Sequence, residues 1–316
     1  MTGRSLWNGR PYYSLDAYCR DTFGEKVYRL PLDGGMTCPN RDGTLGTGGC
    51  IFCSAGGSGE FAGSRRISIT EQLKEQIAQI RAKRPIRKFI AYFQAYTNTY
   101  APVDTLRKLF TEAVRCPDVV ALSVATRPDC LPDETVRLLE ELNCIKPVWV
   151  ELGLQTIHEE TARYIRRGYP LSCFTDAVKR LHESSITQII THTILGLPGE
   201  SDHHMYETME FLNMQPVTGV KLQLLHVLSG TDLARDYAEG RFDTLTRTHY
   251  IQLVIRCLEI LSPDLVIHRL TGDGPKQLLI APLWSGAKRS VLNDLHHQMK
   301  LLDTWQGKKY KKDGKP

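Results

Sequence analysis

KFIAYFQAYTNTYAPVDTLRKLFTEAVRCPDVVALSVATR, residues 88–127, reads as strand, helix and strand. KFIAYFQAY (88–96) and VVALSVATR (119–127) are apolar on both faces and turn polar only at their ends, the pattern of parallel strands covered on both sides. Between them VDTLRKLFTEAVRC (103–116) repeats apolar residues at three- and four-residue spacing, which predicts an amphipathic helix. The alternation continues outward, through helices TEQLKEQIAQIRA (70–82), DETVRLLEELNCI (133–145), HEETARYIRRG (158–168) and FTDAVKRLHESS (174–185). The intervening strands are VWVELGLQT (148–156), ITQIITHTILGLP (186–198) and VKLQLLHVL (220–228). Strand then helix at this spacing predicts βα units that either close into a barrel or open into a doubly wound sheet. In both, chemistry sits at the C-terminal ends of the strands.

The repeating core spans 31–230, preceded by an N-terminal extension, 1–30. A C-terminal α/β extension, 231–307, carries helices TDLARDYAEG, HYIQLVIRCLEIL and VLNDLHHQMKLLDTWQ around a strand LVIHRL, and a basic tail, 308–316, ends the chain. No linker separates these parts. With 316 residues, 41% hydrophobic and 24% charged, the chain can bury a full core, which excludes intrinsic disorder and collagen-like repetition. No apolar run is long enough for a membrane span and the opening MTGRSLWNGRPYY lacks the apolar core of a secretory signal, so the expectation is a cytoplasmic protein. The net charge is +5, of which the tail KKYKKDGKP supplies +4 from five Lys and one Asp, so it reads as a detachable electrostatic feature.

Nine cysteines are too scattered for a disulfide scaffold, but Cys38, Cys50 and Cys53 cluster in TCPNRDGTLGTGGCIFCSAGGSG, among seven glycines between Gly43 and Gly59. A loop so rich in glycine can wrap a bulky inorganic centre and turn backbone N–H groups toward it. Zinc would want four closed ligands, and no fourth Cys or His lies nearby in sequence. Three thiolates suit instead a [4Fe-4S] cluster with one iron open to a ligand. Three merely buried cysteines are the remaining alternative.

Cys50-Ile51-Phe52-Cys53 resembles the C-x-aromatic-C half of the radical S-adenosylmethionine (radical SAM) signature, and the block CPNRDGTLGTGGCIFCSAGGSGEF resembles a bacterial radical SAM family that includes YhcC and YtqA, related to the Elp3-like branch. Eleven residues separate Cys38 from Cys50 where the common signature has three, a spacing normal in that family. The resemblance implies a partial (β/α)6 barrel with N- and C-terminal extensions, a [4Fe-4S] cluster on Cys38, Cys50 and Cys53, and S-adenosylmethionine as cofactor, with Phe52 packed near its adenine. It further implies cofactor contacts from Gln94, Tyr96, Thr97 and Asn98 after the second strand, from Arg127 in Thr126-Arg127-Pro128-Asp129, and from Glu151 and Gln155 in the E-x-G-x-Q strand. Arg167 of Arg167-Gly168 is similar to the Arg that meets the cofactor carboxylate, and Gly196 and Leu197 to the fifth-strand motif under the adenine. Ala125 departs from the pattern, standing where the Elp3-like enzymes carry Glu.

On the residues alone, strand parity puts Glu151, Gly153 and Gln155 on one face, and His192 on the face of Ile194. His192 is a candidate catalytic residue facing substrate, against the alternative of a hydrogen-bonded core histidine. Cys130 is a candidate hydrogen donor, against a structural thiol. The pairs His203-His204 and His296-His297 are poor chelates, because adjacent helical residues point apart. Two basic segments, 81–88 and the tail, with Trp305 and Tyr310 as stacking surfaces, are suited to RNA, although solvated charge runs look the same. By resemblance the substrate is tRNA, the reaction the conversion of 5-carboxymethylaminomethyluridine at the wobble position to 5-aminomethyluridine, and the electron donor a flavodoxin- or ferredoxin-type protein. The alternatives are a radical SAM enzyme acting on a small metabolite and a non-catalytic zinc- or RNA-binding protein.

Overall fold

The computed structural model describes residues 7–186, 188–272 and 274–311. Seven parallel strands hydrogen-bond side by side: β1 (Val27–Leu32), β2 (Lys88–Phe93), β3 (Val119–Thr126), β4 (Val148–Gln155), β5 (Gln188–Leu195), β6 (Gly219–Leu224) and β8 (Val266–Arg269). A short antiparallel pair, β7 (Val227–Leu228) with β9 (Leu279–Ala281), stands apart. The sequential order contains no reversal, so the doubly wound alternative falls. The sheet is curled, because side chains of its two edge strands meet: Arg29 Nη2 of β1 lies 2.7 Å from His268 Nδ1 of β8. The result is a partial barrel.

Three boundaries differ from the sequence reading. The barrel has seven strands where six are expected, since the run LVIHRL of the C-terminal extension becomes β8 and pairs with β6. The first strand begins at Val27, inside the stretch read as an extension. Residues 220–228 break into β6 and β7, because the chain leaves the sheet at Leu225 and His226. Local composition does not encode which runs pair with which.

Helices α2 (Ile69–Arg81), α3 (Val103–Arg115), α4 (Asp133–Asn143), α6 (Leu171–Glu183), α7 (Asp202–Asn213), α9 (Arg247–Ile260) and α10 (Lys288–Leu301) cover the outside. Leu106 and Phe110 of α3, Leu138 and Leu139 of α4, and Phe174 and Val178 of α6 share one core with Phe89, Phe93, Leu122, Val124, Val150 and Leu152 from the strands. Helix α2 starts where the glycine-rich segment ends, fixed by a capping box in which Ser68 and Glu71 satisfy each other's backbone N–H. Two short helices, α5 (Glu159–Tyr164) and α8 (Asp232–Ala238), flank the mouth of the barrel.

Alternate strand residues point inward and form layers. The lowest, Ile90, Ala121, Trp149 and Ile190, is apolar and packs with Cys19 of α1 (Leu15–Phe23), so the N-terminal helix plugs the bottom of the barrel. Trp149 is completely buried there. Trp149→Ala is expected to cost about 3–5 kcal/mol, read as a lower unfolding midpoint in denaturant. The next layer up is polar.

Several cations of the basic segments have acidic partners. Arg81 pairs with Asp118 at 2.8 Å, and Arg87 and Lys88 with Glu25 at 3.6 and 3.7 Å, at the end of the barrel opposite the strands' C-termini. In the tail, Lys309 pairs with Glu259 through its side chain and donates its backbone N–H to Glu259 O at 2.8 Å, so its first residues are tied to α9 and not detachable. Residues 312–316 lie outside the described residues. Among the described residues, no helix is long and apolar enough to cross a membrane.

Candidate active site

The segment between β1 and α2 folds over the C-terminal ends of the strands. Cys38 O accepts from the N–H groups of Arg41 and Asp42 (2.8 and 3.2 Å), and Cys53 N–H donates to Cys50 O (3.0 Å), so each cysteine starts or closes a tight turn. Ile51 pins the loop from below: its N–H donates to Ile165 O and its carbonyl accepts from Leu233 N–H. Asn40 Nδ2 donates to Arg166 O at 2.7 Å and lies 3.4 Å from Cys50 Sγ, and Arg41 Nη2 donates to the carbonyls of Cys53 and Ser54. The stretch after β2 holds the other side. Tyr96 N–H donates to Gly57 O and its hydroxyl to Ala55 O, while Gln94 Nε2 donates to Ser58 O at 2.7 Å. Gly57 sits at φ +58°, and a Cβ there would come within 2.3 Å of the Tyr96 ring. Gly57→Ala should therefore displace Tyr96, costing about 1–3 kcal/mol and loosening the cysteine loop, measurable as faster loss of bound iron than from the wild type.

Cys38, Cys50 and Cys53 all border one cavity of about 590 Å³ that runs from the loop down into the barrel. Burial, with the neighbouring Cys53 adding, pushes the Cys50 thiol up to about 12, against Arg127 and Asn40; burial likewise raises Cys53, against Arg41. Thiols so placed become thiolates when a cation takes the place of the proton. The three sulfurs do not all lie within 4.8 Å of one another. One tetrahedral zinc would hold them about 3.8 Å apart from bonds of about 2.3 Å, so a single ion fits poorly and a larger cluster fits.

Beside the thiols the cavity is lined by Phe52, Thr97, Arg127, Gln155 and Arg167. Tyr96 and Gln155 have φ of +59° and +66°, a strained conformation for residues other than glycine, and both face the cavity. Gln155 Oε1 is buried without a hydrogen-bond partner, an acceptor waiting for a donor. Gly153 makes room for it, since a Cβ there would meet Gln155 Nε2 at 2.9 Å. Arg127 is clamped by Asp129 through Nε and Nη2 (2.9 and 2.7 Å) and lies over the Tyr169 ring.

Several candidates have other employment. Arg167 gives its N–H groups to the carbonyls of Tyr169, Leu154 and Thr156 and to Glu159, and so braces the end of β4. Asn98, Gly196, Leu197 and Cys130 do not border the cavity. Asn98 Nδ2 ties Phe93 O to Ala125 O. Leu197 packs with Ile51 and Ile194, and a Cβ on Gly196 would meet Leu245. Cys130 is buried behind Arg127 with its thiol pushed up to about 12, chiefly by burial. That leaves Cys130 no access to a substrate in the cavity.

Glu151 borders the cavity four residues below the end of β4, about 13 Å from it. It accepts from Arg29 Nη1 (2.9 Å), Ser123 Oγ (2.8 Å), His192 Nε2 (2.7 Å) and Lys221 Nζ. Burial would raise its pKa, but Arg29, Lys221 and His192 outweigh it and hold the carboxyl well below its usual range. Burial, with Lys221, brings His192 down to about 4, so the imidazole is neutral. A carboxylate only accepts, so His192 carries its proton on Nε2 and its Nδ1 is an acceptor.

Arg29, Tyr92, Lys221, Gln223, His226 and Arg269 also line the cavity, and no sequence motif marks them. The available signal is parity: Lys221 and Gln223 alternate with Val220, Leu222 and Leu224, as Arg29 does with Leu30 and Leu32. His226 is enclosed by Gly272 and Gly274, where a Cβ would press on its ring, so the loop after β8 forms one wall. Elsewhere His158, His204 and Glu207 converge, although Nδ1 of His204 is taken by the Ser201 N–H at 3.0 Å.

The radical SAM superfamily model matches residues 42–212, and the Radical_SAM C-terminal domain model matches 217–301. The chain is 45% identical over 297 residues to YtqA of Bacillus subtilis, covering 94% of this chain and 92% of that protein. It is 27% identical over 180 residues to the tRNA uridine(34) acetyltransferase of Methanocaldococcus jannaschii, covering 56% of this chain and 32% of that one. Its fold is similar to that of Elp3 from Methanocaldococcus infernus, with a TM-score of 0.67 and 16% identity over 89% of this chain and 64% of the other.

Proposed function

The chain belongs to the radical SAM superfamily, in the YhcC/YtqA family, and from that premise we propose that it converts 5-carboxymethylaminomethyluridine at the wobble position of tRNA to 5-aminomethyluridine. Its cofactors are those of the superfamily, a [4Fe-4S] cluster and S-adenosylmethionine, which together supply a carbon-centred radical for hydrogen abstraction. Cys38, Cys50 and Cys53 hold the cluster, and Thr97, Arg127 and Gln155, which border the same end of the cavity, orient S-adenosylmethionine. Phe52 supplies an apolar wall, while Arg167 and Tyr169 keep the end of β4 in place. His192, on the strand facing the lower cavity, meets the substrate through Nδ1. A flavodoxin- or ferredoxin-type protein delivers the electron.

The observation that carries this reading is the extent of the cavity. About 590 Å³ reaches from the thiols to the polar layer, leaving space beyond the cofactor for a nucleobase and its side chain. The relationship to a tRNA uridine(34) acetyltransferase supports the choice of base. Reconstituted protein, S-adenosylmethionine and reductant incubated with tRNA bearing the carboxymethylaminomethyl group should yield 5-aminomethyluridine on nucleoside analysis. Unchanged nucleosides under conditions that generate 5′-deoxyadenosine would reject the reading.

A second reading, a free small molecule as substrate, is favoured by the placement of residues 81–88 at the far end of the barrel and the anchoring of Lys309. Turnover of the free nucleoside at the same rate as intact tRNA would select it.

A further inference from the structure

Among the described residues, the end of the cavity farthest from the cysteines carries more basic than acidic side chains. Arg29 and Lys221 both point at one carboxylate, Glu151, and the two imidazoles nearby, His192 and His268, are held neutral mainly by burial. Among the described residues bordering this floor, Glu151 is the one acid, and Arg269 is hydrogen-bonded to Gln223 at its rim. Burial, opposed by Glu151 and reinforced by Arg29 and Arg269, pushes the Lys221 amine well below its usual range.

Glu151 cannot supply more, because its four acceptor sites are already filled by Arg29, Ser123, His192 and Lys221. Donors, by contrast, are in surplus. Arg29 Nε is buried without a partner, although its two Nη atoms bond Glu151 and His268. Lys221 uses two of its three N–H groups, on Glu151 and on the Tyr92 hydroxyl, which itself hydrogen-bonds to Glu151. The Arg29 guanidinium is held rigidly between the rings of Tyr92 and Trp149, at 4.9 and 5.9 Å.

We propose that this floor is a docking site for a carboxylate of the substrate, received by Arg29 and Lys221. A bound carboxylate adds negative charge and accepts the unspent N–H groups of Arg29 and Lys221 together. The inference rests on the reading above and gives the carboxymethyl group of the modified uridine its seat at the bottom of the barrel.

The test is equilibrium binding to the reconstituted holoenzyme, with 5-carboxymethylaminomethyluridine and 5-aminomethyluridine as probes. The wild type should prefer the first by tenfold or more, and acetate should compete with the first and not the second. Lys221→Met should erase most of that preference while leaving the weaker probe's affinity unchanged. Glu151→Gln should strengthen the carboxylate probe several-fold, because it leaves the floor more positive; a merely structural carboxylate would not produce that sign. Equal binding of both probes by the wild type, which needs no variant to fold, overturns the proposal. Preference for the carboxylate with no turnover of tRNA upholds the site and rejects the tRNA reading, whereas turnover without preference does the reverse.

Discussion

Replacing Cys38, Cys50 or Cys53 singly by Ala is expected to remove the iron cluster and to lower production of 5′-deoxyadenosine from S-adenosylmethionine by at least about a thousandfold. The effect is large because, among the described residues, no fourth thiol borders the cavity. Asn40 Nδ2 and Arg41 Nη2 are donors, and the thiol that follows Asp129, Cys130, is buried and off the cavity. With two thiolates left, a cluster loses a corner it cannot replace, and the burial that raises the remaining thiols favours the protonated, unligated state. Iron and sulfide analysis of anaerobically reconstituted variants reads the first effect and chromatography of the nucleoside product the second. Retention of iron by all three variants would contradict the assignment.

Replacing Glu151 by Ala is expected to destabilise the fold by about 3–5 kcal/mol, the cost of leaving Arg29 and Lys221 buried without their shared partner. The same carboxylate sets a pH dependence. Its folded pKa lies well below the ordinary value, so its contribution is fully present above about pH 4.5 and is lost as the pH falls through the folded value. Denaturant titrations from neutral pH downward should therefore show the wild type losing stability in acid while Glu151→Ala changes less. Equal acid sensitivity of the two proteins would show that the charge on Glu151 is not what Arg29 and Lys221 hold. The network ties β1, β3, β4, β5 and β6 together across the lumen.

The alternation of strands and helices between residues 88 and 228 is legible because buried parallel strands and amphipathic helices leave opposite periodicities. The cysteine loop is legible because three thiols among glycines serve few purposes other than a metal centre. The depth of a residue along its strand is not. Glu151 and Gln155 share a face and a motif, yet one is bound into the interior of the barrel and the other waits at the rim with a free acceptor, a difference set by how far the sheet curls. Nor could residue spacing show that Arg167 would spend its guanidinium on three carbonyls of its own fold, or that Arg29 would find Glu151 on β4. Such pairings belong to the closed barrel, and Lys221, a lone charge in an apolar strand, was the sole sequence-level sign of a polar interior on β6 apart from Gln223. In the basic segment 81–88 the charge is visible in sequence, whereas the acidic partners Glu25 and Asp118 are distant along the chain.

The most direct test is the metal content and spectrum of the anaerobically purified wild-type protein, with and without S-adenosylmethionine. The account predicts about four iron per chain, a brown chromophore, and an electron paramagnetic resonance signal of the reduced protein that changes when S-adenosylmethionine is added. A colourless protein holding one zinc and no iron, or a reduced signal indifferent to S-adenosylmethionine, would contradict it.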